Sequence, residues 1–519
     1  MNEWLDMQVF DLLRLHAAGM THAGLPALWA TVAILCMMIL LAATPFLSTQ
    51  PAARITLSSI PVLAKLIQPL LRSPVWIITL RVITAAVFVL AISAGLFGTP
   101  IAERNLATTL TWTLWWSGII IGIYFVGSSW CAICPWDTLA NVLVRLRVWY
   151  KPAFAKGLNL RTPKWLRTIW PASIMFIVLT WFELGVGITT SPYATAMLAL
   201  TMIALATVSL LLFERKAFCR HFCSVGRTIG FYAELSPLQL HAINNALCAK
   251  CTTLDCYHGT EKIEACPTHL VIGRHPDIRN CTACGACVFS CPQQNVNWQW
   301  QINPLQRLAS TRINNSEAWF ILILASLTTF HGFTMLPIWE TLVQQTAMVL
   351  NDRGQLLLTF SLLMTVAIAI PISIYSLIIL LAQRLHRSQW EFSRLFNQFA
   401  LPLLPIAFCY HIAHNLTHLV RESSGFTAVV LNPFGSNTLP MSMTEKHARH
   451  FHPLIADELT FALQTLLIIL GFWWALRLFK QRLVHFPVGK VQQLPLVTFL
   501  FITSLFDLWL LLQPMIMRM

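Results

Sequence analysis

Ten stretches of close to 20 consecutive apolar residues run through this chain, at about 26–48, 75–98, 110–130, 167–189, 193–213, 317–339, 356–382, 397–420, 457–478 and 494–516. Roughly 20 residues at a rise of about 1.5 Å each cross the hydrocarbon of a bilayer, so each stretch reads as a spanning helix. Backbone groups in lipid must be satisfied internally, which makes a helix bundle the fold such a chain can adopt. Composition agrees: 56% of the 519 residues are hydrophobic and 11% charged, too little polar surface for a soluble protein of this length. Residues 187–192, Gly-Ile-Thr-Thr-Ser-Pro, read as a tight turn between the fourth and fifth spans. The start carries Glu3, Asp6 and Asp11 against one Arg, the wrong charge for a cleaved signal.

The loops orient the bundle. Those after the first, third, fifth, seventh and ninth spans hold Arg54, Lys65 and Arg72; Arg145, Arg147, Lys151, Lys156, Arg161 and Lys164; Arg215, Lys216, Arg220 and Arg227; Arg384, Arg387 and Arg394; and Lys480, Arg482 and Lys490. The alternate loops are poor in Lys and Arg. By the positive-inside rule the basic loops face the cytosol of a bacterial inner membrane and both termini face the periplasm. The formal net charge of +14 therefore reports membrane orientation, with lipid and not nucleic acid as the partner.

Residues 214–316 differ in kind. They are polar, broken by Pro and Gly, and contain ten of the 14 cysteines. The chain divides into an N-terminal membrane bundle (1–213), this cytosolic insert (214–316) and a C-terminal membrane bundle (317–519). Within the insert, Cys281-x-x-Cys284-x-x-Cys287-x-x-x-Cys291-Pro292 is the bacterial ferredoxin run. Three thiolates on one tight loop cap three irons of a cube, Gly285 lets the backbone wrap closely, and the fourth Cys ligates the other cluster. Upstream, Cys248-x-x-Cys251-x-x-x-x-Cys256 followed by Cys266-Pro267 is a stretched second copy. The expected ligand sets cross: Cys266, Cys281, Cys284 and Cys287 for one [4Fe–4S] cluster, and Cys248, Cys251, Cys256 and Cys291 for the other. Zinc also takes four cysteines, but two adjoining runs that each close in Cys-Pro point to clusters.

Two more pairs, Cys131-x-x-Cys134-Pro135 and Cys219-x-x-x-Cys223, lie where the third and fifth spans reach the cytosol, beside Trp130, Trp136, Phe218 and Phe222. Four thiols at one depth suit an additional iron site or a redox dithiol. This order of parts resembles the NapH/NosR-type polyferredoxin membrane proteins, over about residues 75–300. That family includes the ferredoxin-type quinol dehydrogenase component of periplasmic nitrate reduction and an accessory protein of nitrous-oxide reductase. The chain departs from the pattern in spacing Cys131 and Cys134 by two residues where the family has three, and in following Cys223 with Ser224 instead of Pro. No soluble flavin domain is read before the first span, so flavin chemistry is not carried over.

The eighth span contains Cys409-Tyr410-His411-Ile412-Ala413-His414-Asn415-Leu416-Thr417-His418. At 100° per residue, His411, His414 and His418 share one face within about 60°, and imidazoles in a span belong inside the bundle with partners. His331, followed by Gly332, sits at a comparable depth on the sixth span. Two readings stand: axial ligation of a b-type haem, with Gly332 admitting a flat macrocycle or another helix, or a copper or zinc site. Met441-Ser442-Met443 and His447, His450 and His452 in the next periplasmic loop suit copper. Trp112, Trp115, Trp116, Trp473 and Trp474 are read as interfacial anchors.

The expected protein is mainly α: a bundle of about ten spanning helices interrupted by a 2[4Fe–4S] ferredoxin-like α+β domain. It relays electrons between a quinol pool or a cytosolic donor and an acceptor reached through the His-bearing half, with a redox partner protein on one side of the membrane. The alternative is a metalloprotein assembly role in which cluster electrons reduce a metal such as copper. No nucleotide fingerprint or nucleophile triad is visible.

Overall fold

The apolar runs fold as helices whose ends are set by Pro, Ser and Gly. The computed structural model describes residues 21–22, 24–44, 54–56, 73–148, 157–274, 277–301, 303–385, 390–446 and 453–516. In chain order the membrane helices are α1 (Ala27–Ala43), α2 (Pro74–Phe97), α3 (Leu106–Val126), α4 (Trp170–Val186), α5 (Pro192–Leu212), α6 (Asn315–Phe333), α7 (Pro337–Leu350), α8 (Leu357–Arg384), α9 (Leu403–Glu422), α10 (Asp457–His485) and α11 (Lys490–Leu512). Ser191 caps α5 by accepting from Ala194 N–H, and Asn314 and Glu317 form a reciprocal capping box on α6.

The expectation of ten full spans is corrected. Among the described residues seven helices are long and apolar enough to cross a membrane, and α6 with α7 adds an eighth if the bent pair is one span. That pair turns through 97°. Pro337 is the cause: the residue before proline is disfavoured from helix, and Leu336 is extended at φ −83°, ψ 146°. The expected span at 167–189 begins only at Trp170 and stops at Gly187, whose left-handed φ of 73° ends the helix. With α1, it is one of two shorter apolar helices.

α9 is the axle of the C-terminal half. In its apolar window 94% of the residues are buried, against 22–50% in the other spans, and His411 and His414 are buried while His418 is partly exposed. It packs on α10, α6, α3 and α11. The insert carries strands β3 (Leu238–Ala242) and β4 (Val296–Gln301), antiparallel, with Leu240 opposite Trp298. A third strand, β2 (Arg54–Thr56), comes from the first inter-helix loop and pairs with the other edge of β4. The sheet is thus shared across the expected 213/214 boundary. Two-residue strands β1 (Thr21–His22) and β5 (Met515–Ile516) also pair.

Arg482 fastens the insert's exit to the bundle. Fully buried on α10, it donates to the carbonyls of Leu308, Ala309 and Thr311 at 3.0–3.2 Å and to Gln398 O and Oε1 at 2.8 and 2.6 Å. Each buried acceptor left bare costs about 1–3 kcal/mol. Arg482→Met is expected to destabilise the protein by roughly 3–5 kcal/mol, read as a lowered unfolding midpoint in detergent.

Candidate functional site

Four of the insert's cysteines surround one cavity. Cys266, Cys281, Cys284 and Cys287 line it with Leu240 and Ile272, so the two runs that sequence spacing crosses do meet. Gly285 adopts φ 76° at the start of the short helix Ala286–Ser290, a left-handed turn that glycine tolerates. Backbone N–H groups point at sulfur: Ala283 at Cys281 Sγ and Leu270 at Cys266 Sγ, both 3.3 Å. Arg215 donates to Cys266 O at 2.8 Å and braces that loop.

The second group is held by Asn295. Its Nδ2 donates to Cys248 Sγ at 3.2 Å and its backbone N–H to Cys291 Sγ at 3.4 Å. Arg274 grips the carbonyls of Cys248, Ala249 and Cys251. Gly273 must be small here, since a Cβ would stand 2.3 Å from Cys248 Sγ. Among the described residues no three His, Cys, Asp or Glu side chains form a group able to hold a single metal ion. The four cysteines of the first set line one cavity, and four thiolates are the donor set a [4Fe–4S] cluster takes. The donors fit that group.

The paired cysteines are brought together as well. Gly127, at φ 56°, reverses the chain after α3, and the Cys131–Cys134 segment folds back until Trp130 and Trp136 reach Trp115, with ring centroids 5.8 and 5.6 Å apart. Arg81 of α2 donates to Ala132 O at 2.6 Å and to Asp137 at 3.2 Å, and Lys216 reaches the same carboxylate at 2.6 Å. Cys219 lies in a π-helical turn, Phe218–Phe222. Gly226 N–H donates to Cys223 Sγ at 3.2 Å. Cys131, Cys134, Cys219 and Cys223 line a single cavity, and Cys281 of the insert is in the same wall. Arg227, donating to Asn280 Oδ1 and Arg279 O at 2.5 Å, holds that wall closed. Glu264, two residues before Cys266, pairs with Arg145 and with Arg147 at 2.6 Å.

The tryptophan expectation is overturned at Trp112, Trp115 and Trp116. They are not interfacial anchors. A π-helical stretch, Thr109–Trp116, turns them into a cavity of about 360 Å³ that also touches Trp130, Trp136, Phe176, Glu183 and Ser224. π segments often mark functional sites. Trp474 is likewise core, stacked on Tyr124 at 6.1 Å. Near the paired cysteines, Trp130 Nε1, Trp136 Nε1, Ser224 Oγ and Thr228 Oγ1 are buried without a hydrogen-bond partner among the described residues, and all four residues line this cavity. Glu183 is the only ionisable side chain among the described lining residues. A carboxylate inside an apolar run is the sequence signal that marks this residue.

The histidine stripe divides. His411 meets Tyr232 Oη at 3.3 Å and the Trp116 ring at 5.9 Å. His414 turns to α6, where its Nε2 and His331 Nδ1 are 3.0 Å apart with rings edge to face. His331 Nε2 faces Glu183 Oε1 at 3.4 Å, and His418 Nδ1 faces Glu422 Oε1 at 2.7 Å. Beside Gly332 the neighbour is Tyr410, whose hydroxyl would lie 2.0 Å from an added Cβ, so a residue of the neighbouring helix fills the space beside that glycine. In the next loop Met441 is buried and Met443 exposed, while His447, His450 and His452 lie outside the described residues.

Fold and site define a polytopic helical membrane protein with a cysteine-rich insert. Over 220 residues the chain is 25% identical to the uncharacterized protein MJ0750 of Methanocaldococcus jannaschii, covering 40% of this chain and 81% of that one. Over 100 residues it is 29% identical to the putative electron transport protein YccM of Escherichia coli K12, covering 18% of this chain and 24% of YccM. No family model matches, and no solved structure matches.

The insert's thiols set a pH dependence. Burial pushes Cys281, Cys284 and Cys287 above their ordinary value of 9.0, and burial with Cys291 and Cys248 nearby pushes Cys256 up to about 11. Folded, these thiols keep protons that the unfolded chain sheds near pH 9. The metal-free protein is therefore expected to lose stability as pH rises from about 8 to 11, measured as a falling unfolding midpoint of the full chain in detergent.

Proposed function

We propose that this chain is a membrane-bound iron–sulfur electron carrier linking a quinol site within the bilayer to a redox partner protein, in a bacterial inner membrane with the insert cytosolic. One observation carries the reading: the four paired cysteines and Cys281 share a cavity wall, so thiols at the membrane adjoin thiols of the insert. Cys266, Cys281, Cys284 and Cys287 would hold one [4Fe–4S] cluster, Cys248, Cys251, Cys256 and Cys291 the second, and Cys131, Cys134, Cys219 and Cys223 a further iron site. Bound there, such centres supply one-electron storage at potentials tuned by burial and by N–H groups aimed at sulfur. The weak similarity to a putative electron transport protein supports the same class.

The tryptophan-lined cavity supplies the organic partner. It is apolar, lies among spanning helices and abuts the paired cysteines through Trp130 and Trp136. Its unpartnered indole N–H and hydroxyl groups suit a ligand with acceptor oxygens on an apolar body. A quinol has that chemistry and is membrane-resident. The direct His331–His414 contact, 3.0 Å between ring nitrogens, supports a proton-carrying pair.

Anaerobically purified protein is expected to contain about eight iron and eight acid-labile sulfide for the two clusters, plus iron at the third site. Cys284→Ser should remove close to half of the insert's iron, and zinc without sulfide would sink the reading. Trp136→Phe, which deletes one donor worth about 0.5–1.5 kcal/mol, should raise the KM for a short-chain quinol roughly two- to tenfold without altering iron content.

A further inference from the structure

The groups around Glu183 are arranged as a file leading out of the cavity. Glu183 lines it. Its Oε1 is 3.4 Å from His331 Nε2, and the other nitrogen of that ring is 3.0 Å from His414 Nε2. His414 and His418 rings lie edge to face at 5.0 Å, and His418 Nδ1 is 2.7 Å from Glu422 Oε1. Thr113, on the cavity's π-helical wall, donates to the second oxygen of Glu422 at 3.3 Å. Imidazole passes a proton by accepting at one nitrogen and donating from the other; His331 has both nitrogens engaged in line.

The file has a direction. α6 leaves the insert at Asn315 and reaches His331 roughly 24 Å further along its axis. α9 begins near Arg482 and the insert's exit and ends at Glu422. Glu183 is in the last turn of α4, just before the turn into α5, whose far end leads to the insert. Glu422 is about one-fifth exposed. The file therefore opens at the end of the bundle remote from the cysteines.

We infer that Glu183, His331, His414, His418 and Glu422 form a proton path from the quinol cavity to the membrane face opposite the insert, so that electrons and protons of one quinol depart to opposite sides. This rests on the quinol reading above. A quinol oxidised to the quinone breaks two O–H bonds. Its two protons go to Glu183 in turn and onward to Glu422, and its two electrons go singly to oxidised iron–sulfur centres on the cysteine side. Turnover with this separation adds charge translocation to electron transfer.

The test uses the full-length, cluster-loaded chain in proteoliposomes, with decylubiquinol as donor and membrane-impermeant ferricyanide outside, so that only molecules with the insert outward turn over. A trapped pH dye is expected to report lumenal acidification of about one proton per electron, abolished by a protonophore. Glu183→Gln and His331→Gln should each slow proton appearance at least tenfold with cluster absorbance unchanged, and Glu183→Asp should restore most of it. Proton release on the ferricyanide side by the unaltered protein, or unaltered rate and side in both Gln variants, overturns the path. If decylubiquinol passes no electrons while dithionite-reduced protein still reduces ferricyanide, the quinol reading itself fails, and the path with it.

Discussion

One carboxylate anchors the site. Asp137, itself buried, takes Lys216 at 2.6 Å and Arg81 at 3.2 Å, and those three residues come from the segment after Cys134, the segment before Cys219 and the α2 span. Burying any one of these charges alone would be costly, and a paired, hydrogen-bonded set is what makes such burial tolerable. Arg81 completes its hydrogen bonds on Ala132 O and Val148 O, so the folded-back cysteine segment is fixed by the same guanidinium that neutralises Asp137. The cavity shared with Cys281, the seating of Trp130 and Trp136, and the approach of the insert all depend on that junction.

How much of this was legible can be argued residue by residue. The spacing of Cys281, Cys284 and Cys287, with Cys266 upstream, pointed to one group, and those four line one cavity. The paired motifs were likewise legible as partners. Span length was less secure. Hydropathy sees residues 317–339 as continuous, while Pro337 acts on the backbone of Leu336 and turns the chain by 97°. Helical periodicity put His411, His414 and His418 on one face, yet which neighbour each meets depends on α6 and on the Ser224–Ala233 helix, which contact order along the sequence does not reveal.

The tryptophans were misread for a related reason. Trp near the end of a span is usually a lipid-interface residue, and nothing in the residue types announces a π turn. Three such segments occur among the described residues, and each bears on the site: Thr109–Trp116 turns its indoles inward, Phe182–Val186 carries Glu183 and Phe218–Phe222 carries Cys219. A widened turn leaves backbone and side chains out of step with the ordinary helix. The Trp130, Trp136, Ser224 and Thr228 groups, buried without a hydrogen-bond partner among the described residues, belong to the same pattern: a local cost gathered around one cavity.

Strand β2 has a consequence for biosynthesis. Arg54–Thr56 emerges from the ribosome long before Val296–Gln301, its antiparallel neighbour, and must wait on the membrane surface while four helices insert. Until then β2 has no strand to pair with. The cysteine-rich unit is for that reason not a cassette that can be cut out at its own boundaries and expressed alone: excised at 214–316 it would display a naked strand, a template for pairing with further copies. Grafts or truncations that respect the whole first loop would keep the edge closed.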